Sequence, residues 1–445
     1  MSSPRELRIA AQSAPITDLL LSAFSNDSEP LHVVLEPGVH QCGGLRLRSF
    51  LTLEIVEGAE LHFLSDWAAY ADTTVSIVAE ESNRAMIVAT GQQDIAVIGK
   101  GRIVCNGSTA FSNGDDGEMG TLVAVKDRPR LMVIDGCRNV RVAGLEIDDS
   151  PMWTLHFADC DNVEVTDVSV DNNRRMPNTD AVVIDGSRHV RLERCTLRTA
   201  DDGVVLKTTR RENGVLTGAC DDIVVKDCVV ESHSCALKLG TESFAPFRNI
   251  TFENIRLEGS NRGLGIFSRD GGVVENVRFS NITLDCHETP AGYWGSGEAV
   301  TINTIDRRPE EGPAGYVRGV LIENVKGSME GAINIVAQRE GDISGVTLRD
   351  INLAQVPGAL GTGLNYDIRP TPADRFENFP DDRSVGRVNA WRFGEDGKII
   401  GLIEYPGGMP GVFTKGVSDL TLERVEITRP DPLPVKWNEK LVVQD

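Results

Sequence analysis

Three aspartates fall within one short stretch of this 445-residue chain: Asp180, in Asn178-Thr179-Asp180, and the adjacent pair Asp201-Asp202 about twenty residues on. Carboxyl groups held close together can keep unequal pKa values, one protonated and one ionised. That is the equipment for driving water onto a glycosidic bond. Gathered carboxylates repel one another, so a fold seldom collects them without use. The competing explanation is that aspartate caps turns through hydrogen bonds to its own backbone. For any one of the three, capping is the better explanation. For three together, catalysis is, provided that the fold brings them to one surface.

A repeat is available to do this. Nine segments carry apolar residues at positions i, i+2, i+5 and i+7, beginning at Val140, Val163, Val190, Ile223, Ile250, Val277, Val320, Val346 and Leu420. Period-two alternation marks a half-buried strand, and the change of phase between i+2 and i+5 marks a corner. Successive starts in the middle of the chain are 23, 27, 33, 27 and 27 residues apart. A strand-rich repeat of this length predicts a solenoid of β-coils; an α-solenoid would need a 3.6-residue apolar period, which is missing.

Each coil offers a third strand: Thr154–Phe157, Ala181–Ile184, Gly203–Leu206, Ala236–Leu239, Gly263–Ile266, Ala299–Ile302 and Ala332–Ile335. The second and fourth positions are always apolar and should face the core, leaving the first and third outward. The first is always small, as a groove floor or a tight turn would require. The residue just before each strand forms a column: Trp153, Asp180, Asp202, Cys235, Arg262, Glu298 and Gly331. Asp180 and Asp202 should therefore be neighbours on adjacent rungs, about 4.8 Å apart. Strict alternation cannot turn both Asp201 and Asp202 outward, so the chain must bend at the start of that strand.

At these residues the sequence resembles glycoside hydrolase family 28, the polygalacturonase-like enzymes. The matching motifs are Asn178-Thr179-Asp180-Ala181, Asp201-Asp202-Gly203, Ser150-Pro-Met-Trp-Thr-Leu-His156 and the entry stretches Leu35–His40, Leu45–Leu47 and Glu57–Leu61. The resemblance runs from about Val33 to Leu353, and more weakly to Ile427. It implies an all-β chain, a single-stranded right-handed parallel β-helix, that hydrolyses glycosidic bonds of pectin-type or related oligosaccharides with inversion. It implies Asp201 as general acid, with Asp180 and Asp202 holding and activating the water. Asn178, His156, His233, Arg262, Lys238, Glu298, Arg269 and Phe267 become candidate substrate-binding residues.

Two departures stand out. The family's Gly-His-Gly is Ser232-His233-Ser234 here, so hydroxyls flank the histidine and either narrow the site or bond a sugar. The family's uronate-gripping Arg-x-Lys is replaced: Arg262-Gly-Leu-Gly265-Ile-Phe267-Ser-Arg269 keeps the arginine but puts Gly265 and Phe267 where the charged pair belongs. A carboxylate subsite needs a cation. Lys238, in the register of Gly265 one rung earlier, and Arg269 are the possible substitutes; both are equally readable as solvated surface cations. If neither serves, the subsite takes a neutral sugar on which Phe267 could stack. Trp294 and Glu298, in Tyr-Trp-Gly-Ser-Gly-Glu, resemble a segment that borders the cleft in bacterial relatives.

Composition narrows the rest. A net charge of −21 argues against nucleic acid and anionic membranes as partners and makes a long polyanion an awkward substrate. Nine cysteines show no zinc spacing, and Cys137, Cys160, Cys195 and Cys228 recur at comparable strand or corner positions. The expectation is a core ladder of free thiols in a reducing compartment, with no metal and no cofactor. No basic-then-apolar leader is visible, which predicts a cytoplasmic protein trimming oligosaccharides. The expected organisation is an N-terminal segment over 1–30 with a short capping helix near 15–27, the β-helix over 31–356, an irregular insertion over 357–416, and a last coil with tail over 417–445. The insertion, with Tyr366-Asp-Ile-Arg-Pro370 and Trp391-Arg-Phe393, is long enough to be a lid, a block at one groove end or a homo-oligomer contact. Besides the hydrolase, a β-helix lyase or intramolecular glycosyltransferase and a non-catalytic glycan-binding β-helix stay open.

Overall fold

The structure, a computed structural model, describes residues 4–25, 29–80, 82–111, 122, 124, 127–289, 293–369, 398 and 400–445. It is a right-handed parallel β-helix whose coils follow the repeat. The strands Phe247–Ser260, Val274–Cys286, Val317–Met329, Ile343–Gln355 and Val417–Thr428 stack in parallel, with Ile250, Val277, Val320, Val346 and Leu420 in one register. The corner between i+2 and i+5 is a left-handed residue at i+4 in all nine segments: Gly144, Asp167, Arg194, Asp227, Asn254, Asn281, Asn324, Asp350 and Arg424, with φ between 51° and 76°. Asparagine, aspartate and glycine tolerate that conformation best, which explains their dominance there. Neighbouring corner asparagines also bond along the stack. Asn281 Nδ2 donates to Asn254 Oδ1 at 3.0 Å, and Asn254 Nδ2 donates to Asp227 Oδ1 at 3.1 Å.

The inward residues form one continuous apolar core along the helix, with Phe252 and Phe279 stacked at 4.8 Å between centroids. All nine cysteines are free and buried, and Cys137, Cys160, Cys195 and Cys228 lie in this core as expected. The predicted capping helix is Thr17–Phe24; Ile16, Leu20, Ala23 and Phe24 close the first coil, while Leu19 is 43% exposed.

The third strands build a second parallel sheet. Leu155–Ala158, Val182–Asp185, Val204–Thr208, Cys235–Ser243, Arg262–Ser268, Val300–Thr304 and Ile333–Ala337 pair successively, with Leu155, Val182, Val204, Leu237, Leu264, Val300 and Ile333 aligned. The second and fourth positions enter the core, as predicted. The small first position does not form an outward floor: Ala181, Ala236 and Ala299 join the apolar core. At Gly203 an added Cβ would meet Val230 Cγ1 at 2.3 Å. The chain turns inward one residue early at this corner, and crowding by the neighbouring coil keeps the position small.

Two predicted boundaries shift. Arg5–Ile9 already pairs with Leu31–Leu35, so the first rung begins inside the N-terminal segment. Val412–Lys415 extends the second sheet against Ile333–Ala337, so the coil resumes before residue 416. Between them, Asn365–Asp367 pairs antiparallel with Leu402–Glu404. Tyr366, Ile368 and Tyr405 pack with Ile305, Val336 and Phe413 on the outer face of that sheet. Trp391-Arg-Phe393 lies outside the described residues.

Candidate active site

The ladder carries the column of polar residues into one line. Thr154 N donates to the Asp180 carbonyl, Ala181 N to that of Asp202 and Gly203 N to that of Cys235; Cys235 pairs with Arg262, and Gly263 N donates to the Glu298 carbonyl. Asp180 and Asp202 thus sit on adjacent rungs. Asp201 and Asp202 occupy the turn between the strands Thr196–Thr199 and Val204–Thr208, which supplies the bend that alternation required. The turn is fixed from both sides. Asp201 Oδ2 accepts from the Asn178 backbone N–H at 3.0 Å, where Asn178 holds a φ of 60°, and Ser232 Oγ donates to the Asp201 carbonyl at 2.6 Å. Ser232, fully buried, therefore braces the aspartate turn. Arg128 Nη2 donates to Asn178 Oδ1 at 2.6 Å, which locks that residue in turn.

All three aspartates are buried. Burial raises the Asp180 carboxyl well above the usual range, and the charges of Asp201 and Asp202 raise it further against the pull of Lys207 and Lys238. Asp202 has a direct counter-ion: Lys238 Nζ lies 2.6 Å from its Oδ2, and the Cys235 N–H donates to Oδ1 at 3.3 Å. The cluster thus pairs a carboxyl that favours its proton with a carboxylate whose charge is balanced. Lys207 lies 4.8 Å over the Trp153 ring and 2.8 Å from Glu242. Glu242 is held from its other side by Arg307 at 3.0 Å.

The remaining predicted residues separate. His156 is fully buried, hydrogen-bonded between Arg130 (3.1 Å) and Asp185 (3.3 Å), and burial lowers its pKa; it braces the rung and offers a substrate no open face. His233 is half-buried beside the aspartate turn, edge-on to Tyr293 at 5.7 Å, and burial lowers its pKa too. Phe267 is only 1% exposed, ringed by Lys238, Arg262 and Arg269 at 5.6, 5.2 and 5.6 Å from its centroid, so it presents no stacking face. A Cβ on Gly265 would sit 2.7 Å from Phe267 Cε2 and from Cys235 Sγ. Gly265 and Phe267 are therefore sterically linked, since the ring lies where a side chain at 265 would sit.

The three candidate cations are engaged. Lys238 serves Asp202. Arg269 is buried, donating to Asn303 Oδ1 at 2.9 Å and the Ile368 carbonyl at 3.0 Å; it is not a solvated surface cation, and burial takes its pKa down to about 9. Arg262 lies 2.7 Å from Asp367 and 3.5 Å from Glu298. Burial opposes the charge of Asp367, but Arg262 and Arg369 outweigh it and hold its pKa at about 2. Burial raises Glu298, which is fully enclosed. Gly295 N donates to Asp367 at 2.9 Å, and Arg369 donates to the Gly295 carbonyl at 3.1 Å, which joins the insertion to the loop carrying half-buried Trp294.

The model of glycosyl hydrolases family 28 matches residues 65–362. The chain belongs to this family. An endo-polygalacturonase of Pectobacterium parmentieri is 21% identical over 362 residues, spanning 78% of this chain and 86% of that one. A probable polygalacturonase of Arabidopsis thaliana is 28% identical over 167 residues, 37% of this chain and 35% of that one. Against it and two further plant relatives, the matched region spans only 35%, 60% and 46% of their length. Among solved structures, a polygalacturonase from Erwinia carotovora superposes with a TM-score of 0.64 at 19% identity, covering 79% of this chain and 95% of that one. An exopolygalacturonase from Thermotoga maritima gives 0.62 at 19% identity, covering 80% and 88%. These structures share the β-helix fold.

Sequence reading missed Lys207, Glu242, Asn172, Arg128 and Asp367. Lys207 was within reach: it follows Val205 by two residues and is outward by the same alternation that picked out Lys238. Asn172, which donates from Nδ2 to Thr154 Oγ1 and the Thr179 carbonyl, and Arg128 lie on separate coils, where spacing gives no signal.

Proposed function

We propose that this protein is an inverting glycoside hydrolase of pectin-type or related oligosaccharides. The carrying observation is the trio of buried aspartates on adjacent rungs, one carboxyl raised in pKa and one paired with Lys238. Inversion needs an acid to protonate the departing glycosidic oxygen and a base to take a proton from the attacking water. Asp202, its charge balanced by Lys238, acts as the base. In the reactive form Asp201 carries the proton and delivers it to the leaving oxygen as the C–O bond breaks, while Asp202 takes one from the attacking water; return of that proton from Asp202 to Asp201 resets the site, and Asp180, where burial favours the neutral form, orients the water. This departs from a simple split in which Asp180 is an ionised base, because burial and its two neighbours favour the neutral form there.

The test pairs Asp201→Asn with Asp202→Asn on two glycoside series, one with alkoxide and one with dinitrophenolate leaving groups. Reducing-sugar release and phenolate absorbance are read. A general-acid variant retains activity on the dinitrophenyl series, whose leaving group needs no proton, and loses about 10²–10⁴-fold on the alkyl series. The base variant loses both. Equal losses of Asp201→Asn on the two series would remove Asp201 from the acid role. No release by the unaltered protein from any glycan would favour the binding or lyase reading.

A further inference from the structure

The insertion places a carboxylate of the chain itself on the cation two rungs from Asp202. Arg262 is 2% exposed, and its guanidinium faces Asp367 at 2.7 Å and Glu298 at 3.5 Å. Two rungs correspond to about 10 Å along the sheet, within the reach of an oligosaccharide whose scissile bond lies at the aspartates. Arg262 Nε and Nη2 nonetheless make no aligned hydrogen bond. Its charge is balanced, while these two donors keep no aligned hydrogen bond. Other buried side-chain atoms without a hydrogen-bond partner on the neighbouring rungs include Glu298 Oε1, which adds no cation, and the uncharged Ser296 Oγ, Thr301 Oγ1, Asn303 Nδ2 and Asn334 Nδ2. Buried amides and hydroxyls in this state match sugar hydroxyls or water. They do not supply the counter-charge that a carboxylate requires.

We infer that Asp367 is a specificity-determining residue: it occupies the place on Arg262 that a substrate carboxylate would take, so that this subsite selects an uncharged sugar unit. The proposal rests on the hydrolase reading for the position of the subsite. The geometry excludes the other cations as replacements, because Lys238 is spent on Asp202 and Arg269 on Asn303 and the Ile368 carbonyl. Removing the Asp367 side chain takes away the competing charge and makes room beside donors that have no other aligned partner.

The experiment uses the full chain carrying Asp201→Asn, so that binding is read without turnover. Affinities for methyl galactoside and methyl galacturonate are measured by titration calorimetry in this protein and in the Asp201→Asn/Asp367→Ala double variant. The expected result is no preference for the uronate in the first, and at least a tenfold shift of the affinity ratio toward the uronate in the second. Acetate should also raise the melting temperature of the Asp367→Ala protein more than that of its parent. If Asp367→Ala does not fold, Asp367→Asn, which keeps an acceptor for Gly295 N, should shift the ratio in the same direction. A parent protein that already binds the uronate tenfold more tightly, an unchanged ratio, or no binding of either sugar would overturn the proposal. Absence of turnover on any glycan by the unaltered protein would sink the hydrolase reading and leave this ratio measurable.

Discussion

Replacing Asp180 with asparagine should abolish activity and stabilise the protein, with the gain growing as pH rises. Asp180 is buried at 2% exposure, and burial together with Asp201 and Asp202 pushes its carboxyl well above the usual range. An acid whose pKa is higher folded than unfolded binds more protons in the folded state. Its stabilising share is complete below the unfolded pKa, about 4, and is lost as pH climbs toward the folded value. An amide has no such loss. Between those two values the difference between variant and parent should therefore widen by about 1.4 kcal/mol per pH unit. Two pH units above 4 would give about 3 kcal/mol at most. For 445 residues, unfolding entropy near ~2.1 cal/mol/K per residue makes that about 3 °C in melting temperature. The assay is scanning calorimetry of both proteins at one fixed scan rate from pH 4 to 7.5. Asp201 and Asp202 lose a repelling neighbour in the variant, which adds in the same direction. A difference that stays flat with pH, or that turns against the variant as pH rises, would refute the argument that the trio stores this cost.

Three further outcomes follow from the geometry. Lys238→Met strips the 2.6 Å counter-ion from buried Asp202; about 3–5 kcal/mol of stability should go with it, and kcat should fall at least a hundredfold with KM little changed, read by calorimetry and steady-state kinetics. Gly265→Ala drives a methyl to 2.7 Å from Phe267 and Cys235; the cost should be about 1–3 kcal/mol, partly relieved by adding Phe267→Leu, and a double-mutant cycle measures the coupling. Asn281→Ala leaves a side chain that tolerates a φ of 57° less well than asparagine and breaks the bonds to Asn254 and Asn324; urea unfolding should show a loss of about 2 kcal/mol, with Asn281→Gly losing about half as much.

The coil was readable in the chain because burial there depends on position alone. Apolar residues at i, i+2, i+5 and i+7 decide which side chains enter the core, and the left-handed residue at i+4 is what breaks the phase between the pairs. The same rule found the column running from Asp180 through Asp202 and Cys235 to Arg262 and Glu298, since a parallel ladder repeats whatever the register repeats. It failed at the first position of the third strand. The chain bends inward there, and smallness reflects pressure from the next coil where an open floor or a tight turn was expected.

What alternation cannot give is how a charge is spent. Lys238, Arg262 and Arg269 were recognisable as outward cations near the aspartates, yet their partners come from elsewhere: Asp202 from the preceding rung, Asp367 from an insertion about a hundred residues later, and Ile368 from that same insertion. No periodicity links Asp367 to Arg262. The link arises because Tyr366 and Ile368 alternate with it along a short strand and must bury themselves on Val336 and Phe413, which turns Asp367 and Arg369 onto the column. The loss of the charged pair at Gly265 and Phe267 and the arrival of Asp367 are thus parts of one electrostatic arrangement. A surface with neither cation of that pair, and with Arg262 neutralised by Asp367, cannot hold a buried carboxylate at ordinary cost. Substrate charge is for that reason the property on which this chain should differ from relatives that keep the Arg-x-Lys pair.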